Sequence, residues 1–457
     1  MNNEAFDSAN YSAHFGATDI FCFSKGRCPL LFYLSPLGKI PTGYVFVTSD
    51  RAKYIQRGIS NGKITLQINL PVTEKLKTMM IKLNSYLVFV VLFIFSCQPT
   101  AEKTSKTQKK PLPPYKDIQF ASFSGNNDLR KNKKIVLVSG DEEYRSEEAL
   151  PQLAKILSAH HGFDCTVLFA QNPEHPGTID PNYTKNIPEL EALGDADLMI
   201  LFTRFRALPD DQMQEIEKFL KKGKPIIGIR TATHAFNDQD SLSKWKHWGN
   251  YSKEPGWEGG FGRKIFGVNW HTHHGHHKHQ STKGLIASGA EQHPILTNVE
   301  SGKIWGATDV YGVPLPMSAD VQALVMGQVI NRAGAYNETD LFFGMKETDS
   351  EVAVENPAAK GYHPNDPMMP VVWTKPYQLD GGQKGMTMTS TLGASSDLLN
   401  ESLRRVFVNG VYHLLDLSVP KNAKVDLVGK YEPTQFQFHD DQYWKDKKMK
   451  VTNSMID

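Results

Sequence analysis

Cysteine is scarce in this sequence: there are four in 457 residues, Cys22, Cys28, Cys97 and Cys165. So sparse a set excludes a disulfide-stapled secreted scaffold. An excess of one charge is lacking too, since 51 Lys and Arg face 49 Asp and Glu for a net +2. That balance leaves no electrostatic footprint for nucleic acid. The one basic concentration, residues 103–110, has no aromatic side chains on which bases could stack, so nucleic acid is not an expected partner. No apolar run has the length of a transmembrane helix, and no internal repeat is visible. What is present reads as globular, with 40% hydrophobic residues, Gly 35 and Pro 26, and unlike a disordered or fibrous chain. The length suits two or three domains, or one large one.

One apolar stretch, residues 87–95, follows Lys82 and precedes Ser96 and Cys97. A charged start, a short apolar centre and a small-residue exit are the parts of a secretory signal peptide. Ile94-Phe95-Ser96-Cys97 also resembles a bacterial lipobox, which implies cleavage before Cys97 and acylation of its thiol. The competing reading is an internal anchor or buried helix, which usually needs more residues. A leader must begin its chain, so translation is expected to start at Met79 or Met80. Residues 1–79 are then an upstream extension, not native or disordered, and residues 80–97 the leader. Residues 98–131, polar and rich in Pro, Lys, Ser and Thr, read as a tether. The expected location is the bacterial cell envelope, periplasm or outer-membrane surface, with the lipid as the only membrane contact. The mature chain would keep Cys165 alone beside the acylated Cys97, with no disulfide and no cysteine-pair zinc site.

From residue 132 to about 420 the elements alternate. Lys134–Gly140 is a continuous apolar run ending in Gly, as in a parallel strand buried on both faces. Residues 147–160 place Leu150, Leu153, Ala154, Ile156 and Leu157 at helical spacing. Further strands are expected at 165–170, 198–202 and 225–229. A helix is expected over 209–222, opened by Pro209 and stopped by Gly223. This order predicts an α/β fold with a doubly wound, mainly parallel sheet. Additional strand-like runs occupy 321–330, 370–374 and 386–391, with an amphipathic helix over 399–415. Residues 421–457 are polar and expected to wrap the surface.

Ligand crevices in such sheets lie beyond the carboxyl ends of the strands, and several polar segments fall there. In Gly140-Asp141-Glu142-Glu143-Tyr144-Arg145-Ser146-Glu147, Ser146 and Glu147 suit a helix cap and first turn. Glu143, Tyr144 and Arg145 remain as candidates. Arg204 and Arg206 follow the third strand and suit either an acidic sugar or an internal carboxylate. Arg230-Thr231-Ala232-Thr233-His234 stands where many α/β hydrolases hold a nucleophile elbow, but no Cys or Ser is there. Cysteine-dependent amide chemistry is excluded, and His234 is either an acid–base group or a structural histidine. Asp309 and Tyr311 follow a strand-like run. Asp397 points to the same crevice or, preferably, caps the last helix.

The densest feature is a tract with six of the chain's 16 histidines, His271, His273, His274, His276, His277 and His279. It lies in a Gly- and Trp-rich stretch without a sustained period, as in a functional loop. Imidazole binds metals, moves protons near neutrality and grips hydroxyls. An imidazole group with a nearby carboxylate suits zinc or iron(II). The alternative is a polar loop contacting substrate or its own backbone. Alternation pairs His271 with His273, and His277 with His279, on common faces if the backbone is extended.

Residues 140–148, Gly223-Lys224-Pro225-Ile226-Ile227-Gly228-Ile229-Arg230-Thr231, and His273-His274-Gly275 followed by His277 resemble the ThuA-like, trehalose-utilisation family. So do Asp309-Val310-Tyr311 and residues 391–397. The match runs from about residue 133 to 420 and is nearest the secreted lipoprotein version. The resemblance implies a flavodoxin-like, class I glutamine-amidotransferase-like fold that has lost its nucleophilic Cys. It also implies a role in disaccharide or polysaccharide catabolism, often beside dehydrogenases that make 3-keto sugars. Glu143, Arg145, Arg230, His273, His274, His277, Asp309 and Tyr311 match recurring positions, while His271, His276 and His279 depart from the pattern.

These readings converge on an expected site. Glu143, His234 and Asp309 would handle protons, and Tyr144, Arg145, Arg204, Arg230 and Tyr311 would contact substrate. His273, His274 and His277 would hold a divalent zinc or iron, or substrate hydroxyls. The expected ligand is a small-molecule or oligosaccharide substrate, neutral, keto or acidic. The competing readings are a non-catalytic sugar-binding lipoprotein and a metal-handling protein.

Overall fold

In the computed structural model, which describes residues 44–48, 51–60, 63–67, 119–129, 131–237 and 243–455, the chain divides into two units, Met1–Lys109 and Lys110–Asp457. The first holds three strands, β1 (Tyr44–Thr48), β2 (Arg51–Ser60) and β3 (Lys63–Gln67), paired antiparallel in that order. The expected leader at 80–97, with Cys97, lies outside the described residues, as does the tether up to residue 118.

In the second unit the continuous apolar runs sit at the centre of one sheet. They are β5 (Lys134–Gly140), β6 (Asp164–Phe169), β7 (Leu198–Thr203) and β8 (Ile226–Ile229). With β15 (Lys384–Ser390) they form a parallel segment in the order β6-β5-β7-β8-β15. Between β8 and β15 the chain makes a long excursion. It contributes β10 (Gln280–Ile286), β11 (Ile304–Gly306), β13 (Gln322–Asn331) and β14 (Met369–Gln378), which extend the sheet antiparallel beyond β15. At the opposite edge β4 (Phe120–Phe123) pairs antiparallel with β6, giving ten strands. This second unit is thus mixed α/β around one large sheet.

Period-two burial of β5 decides which helix goes where. Ile135 and Leu137 pack with Leu150, Leu153 and Leu157 of α1 (Ser146–His161) and with Val406 and Phe407 of α3 (Glu401–Leu414). Val136 and Val138 face the other way, onto Met213, Ile216 and Phe219 of α2 (Asp210–Lys221). Both faces of β5 are therefore dry, which explains its unbroken apolar run. The helix α2 starts after Pro209 and carries Asp210 and Asp211 in its first turn and Lys218 and Lys221 in its last. These charges oppose its dipole at both ends. Gly228 lies where a Cβ would come within 2.6 Å of the Phe266 ring, so only glycine lets that ring cover β8.

Some expectations change. The tether ends sooner than residue 131, because Phe120, Ala121, Ser122 and Phe123 pair with Leu168 to Cys165. Ser146 does not cap α1; Arg145 occupies that position at φ 62, and Ser146 Oγ instead accepts from the Asp141 amide at 3.0 Å. Asn400 caps α3 by accepting from the Leu403 amide at 2.9 Å, while Asp397 accepts from Thr308 and from the Gly393 and Ala394 amides. A short buried polar anchor there fixes the loop that leaves β15. The final segment does more than wrap the surface: Phe436, Trp444 (in α4, Asp441–Lys447) and Val451 are buried.

Candidate functional site

The loops leaving β5, β7, β8 and β15 meet at the carboxyl edge of the parallel segment. Arg230 directly follows β8 at φ 48, a left-handed conformation that a non-glycine side chain adopts at a cost. At the strand-to-helix turn where many α/β hydrolases seat a nucleophile, this chain has a buried guanidinium. Its Nη1 donates to the carbonyls of Asp309 (2.7 Å) and Thr391 (2.6 Å). Its Nη2 donates to Asp309 Oδ1 (3.1 Å) and the Tyr144 hydroxyl (3.2 Å). The rings of Tyr144 and Tyr311 lie on it at 4.4 and 3.9 Å. Arg230 is therefore the floor of the site, its charge matched by Asp309 and the two rings, with its buried Nε left without a partner.

Asp309 is the hub. It is held opposite the histidine tract by a two-residue ribbon, in which β9 (Thr272–His273) pairs with β12 (Tyr311–Gly312) and His273 faces Tyr311. Oδ2 receives His273 Nδ1 at 2.7 Å, and Oδ1 receives His277 Nδ1 at 2.9 Å. Burial pushes Asp309 upward, but His273, His277 and Arg230 outweigh it and hold the carboxyl well below the usual carboxylate range. An ionised carboxylate only accepts, so both imidazoles donate Nδ1–H and keep Nε2 for other partners. The two rings then separate in behaviour. Burial would lower His273, but the Asp309 charge raises it; burial lowers His277, and Asp309 offsets that only in part. Their centroids are 4.8 Å apart, and the His273 side chain is 39% exposed. One ring raised above the usual imidazole value and one lowered below it thus lie side by side, both partly exposed.

Glu143 completes this group. Its Oε1 lies 3.5 Å from His277 Nε2, and its Oε2 lies 3.7 Å from Arg204 Nε. Burial and the neighbouring Asp141 push it up to about 7, against the lowering effect of Arg204, Arg230 and His273. The loop that carries it is pinned by Asp141, whose Oδ1 accepts from the Glu143 (2.8 Å) and Tyr144 amides and whose Oδ2 accepts from Thr231 (2.5 Å). Arg204 is occupied by Glu142 at 2.5 Å, and Arg206 is buried on Glu142 and the Pro181 and Tyr183 carbonyls.

Seven further expected residues thus join Glu143 and Asp309 in one contact group: Tyr144, Arg204, Arg230, His234, His273, His277 and Tyr311. His234 forms a wall. Its Nδ1 lies 3.2 Å from Thr233 Oγ1, and its ring touches Phe205 (4.9 Å) and Trp270 (5.4 Å). Burial holds its pKa well below the usual imidazole value, so it stays neutral.

Two expected residues lie elsewhere. Arg145 is buried against the C-terminal segment, donating to the carbonyls of Gln435 (3.2 Å) and Gln437 (2.6 Å) with its guanidinium 4.8 Å from Trp444. His274 turns inward to the Tyr362 hydroxyl at 2.5 Å and the Pro364 carbonyl. Among the described residues, those that could hold a metal are then His273, His277 and Asp309, whose donor atoms lie within 4.8 Å of one another.

Sequence reasoning missed Phe436, whose ring stacks on Tyr144 (5.4 Å) and meets His277 (5.6 Å). Large aromatics in an otherwise polar tail were the available signal. It also missed the Asp141–Thr231 tie, which carries no sequence mark.

No protein-family model matches this chain, and none of the curated proteins matches it. Among solved structures it is similar to a protein described as ThuA-like from Bacteroides uniformis, at 15% identity over 64% of this chain and 95% of that one, with a TM-score of 0.35. A protein described as ThuA-like from Parabacteroides merdae is similar at 12% identity over 67% of this chain and 97% of that one, with a TM-score of 0.37. Both carry the description of the family that the sequence motifs resemble.

Proposed function

We propose that this crevice binds a sugar and carries out proton transfer on it, with His273 and the His277–Glu143 pair as acid and base. The observation that carries the reading is the chain Asp309–His277–Glu143, 2.9 and 3.5 Å long, beside the more basic His273. Asp309 fixes both tautomers, so His273 can donate from Nε2 while the His277 Nε2–Glu143 pair takes a proton, Glu143 being pushed up to about 7. The substrate is a neutral or keto sugar in preference to an acidic one, because Arg204 and Arg230 already face carboxylates. The resemblance to trehalose-utilisation proteins points to the same substrate class. The strand order β6-β5-β7-β8-β15 is the 2-1-3-4-5 order of flavodoxin-like sheets, which supports that fold name and a body that has exchanged a nucleophile for Arg230.

The test is incubation with disaccharides and their keto derivatives, with products read by mass spectrometry. Turnover that falls on the order of a hundredfold or more in Glu143→Gln and His277→Asn supports the proposal. Saccharide binding by calorimetry without turnover favours the non-catalytic sugar-binding reading instead. Absence of both overturns the carbohydrate reading.

A second reading is favoured by the His273, His277 and Asp309 cluster. Two imidazoles and a carboxylate suit zinc or iron(II), which would polarise a carbonyl or activate water. Elemental analysis of the purified protein decides it. The lipobox-like residues 94–97 add envelope anchoring to the proposal; a mature mass beginning at acylated Cys97 supports this, and a mass retaining Met1 refutes it.

A further inference from the structure

We infer that the crevice continues outward into a second sugar subsite, built by Tyr251, Phe205 and Phe438 around Arg204, so that the substrate is an oligosaccharide. This rests on the carbohydrate reading above and extends it.

Tyr251 is 61% exposed and Phe438 is 53% exposed. Large rings left in water are informative when they share neighbours, and these two are linked through Phe205 and Arg204. The Tyr251 ring stacks on Phe205 at 6.2 Å and 23°. The Arg204 guanidinium lies 4.8 Å from the Phe205 ring and 4.8 Å from the Phe438 ring, joining the tail to the loop after β7. Phe205 sits at φ 45 and is held there by its amide, which donates to the His234 carbonyl at 2.9 Å. A strained backbone that persists is over-determined by its surroundings. Here it sets one ring between the outer shelf and the inner wall. Inward from Phe205 the contacts run to His234 (4.9 Å), Trp270 (5.4 Å) and His273 (5.8 Å). Ring packing through the buried His234 therefore links the outer rings to the proton-transfer group.

The chemistry of the shelf selects its occupant. A pyranose presents a face of C–H bonds to an aromatic ring and hydroxyls around its rim, which suits flat rings beside planar donors. Arg204 gives Nη1 to Glu142 and turns Nε toward Glu143. Its Nη2 has no acceptor among the described residues, so that group can donate to a hydroxyl. Because its charge is already matched by two carboxylates, it offers little to a phosphate. A stacked nucleotide is disfavoured on that ground.

The experiment measures binding to the full chain by calorimetry with glucose-, galactose- and mannose-based mono- and trisaccharides, in wild type and Tyr251→Ala/Phe438→Ala. Both rings are exposed, and thermal unfolding checks that the variant is folded; Tyr251→Ala alone serves if it is not. Wild type is expected to prefer a trisaccharide to its monosaccharide, and that preference to narrow about tenfold in the double variant. Tyr251→Phe is expected to retain it, since the ring face remains. Equal affinity for both lengths, or a preference untouched by the double variant, overturns the subsite and leaves the carbohydrate reading standing. No binding of any saccharide overturns both. Tighter binding of an oligothymidylate through the same rings overturns the subsite in favour of a nucleotide ligand.

Discussion

Replacing Glu143 with glutamine separates what this carboxyl does for stability from what it does for chemistry. Its folded-state pKa stands at about 7 against an ordinary value of 4.5, chiefly through burial and the Asp141 charge. Between those values the folded protein keeps a proton that the unfolded chain has released. The contribution to stability is complete below pH 4.5 and is lost as pH rises through about 7. A shift of this size corresponds to about 3 kcal/mol. Glutamine occupies nearly the same volume and cannot ionise. The stability of wild type relative to Glu143→Gln is therefore expected to fall by about 3 kcal/mol from pH 4.5 to pH 7, and to be level outside that window. Urea unfolding of both proteins at half-unit pH steps measures it, with EDTA present so that no cation sits on His273 or His277. The same variant is the one expected to lose turnover, so a gain in stability above pH 7 would accompany a loss of function. A difference that stays flat across the window refutes the reasoning, because Glu143 would then ionise as an ordinary surface carboxylate.

Other perturbations follow from the same contacts. On the metal reading, His277→Ala is expected to abolish zinc uptake while His274→Ala leaves it intact; His274→Ala costs about 1–3 kcal/mol through its lost hydrogen bonds, and elemental analysis and thermal unfolding read the two effects. Arg230→Met strips Asp309 of its buried cation and is expected to destabilise the fold by about 3–5 kcal/mol; an unchanged unfolding midpoint would contradict the placement of Arg230 as the floor. Gly228→Ala drives a methyl into the Phe266 ring and is expected to cost about 1–3 kcal/mol in denaturant unfolding. An unaltered midpoint would show that the ring can retreat.

The parallel segment was legible because β5, β7 and β8 are dry on both faces, and a strand covered on both sides is what a short unbroken apolar run between turn residues serves. The helix α2 was legible for a different reason, since Pro209 and Gly223 punctuate it at both ends. One antiparallel strand near the sheet's edge, β10, hid behind polar residues. Gln280, Ser281 and Thr282 of β10 are buried, yet their side chains carry no apolar period to follow. The site shows the same division. Loops after apolar strands could be placed at the crevice without knowing their shape, which brought Glu143, Arg204 and Arg230 forward together. The histidine tract could not be resolved that way. Strict alternation would pair His277 with His279, but the backbone is extended only at Thr272 and His273, and Lys278 adopts φ 63. His279 consequently stacks on His276 (4.1 Å) and Tyr336 (4.7 Å), while His273 and His277 close on Asp309. The choice among six histidines was made by a carboxylate more than thirty residues away, through a ribbon two residues long. No local period encodes such a pairing, because the energy that selects it is the desolvation of Asp309. Buried beside Arg230, that carboxylate needs donors on both oxygens, and the histidines able to reach it become the site.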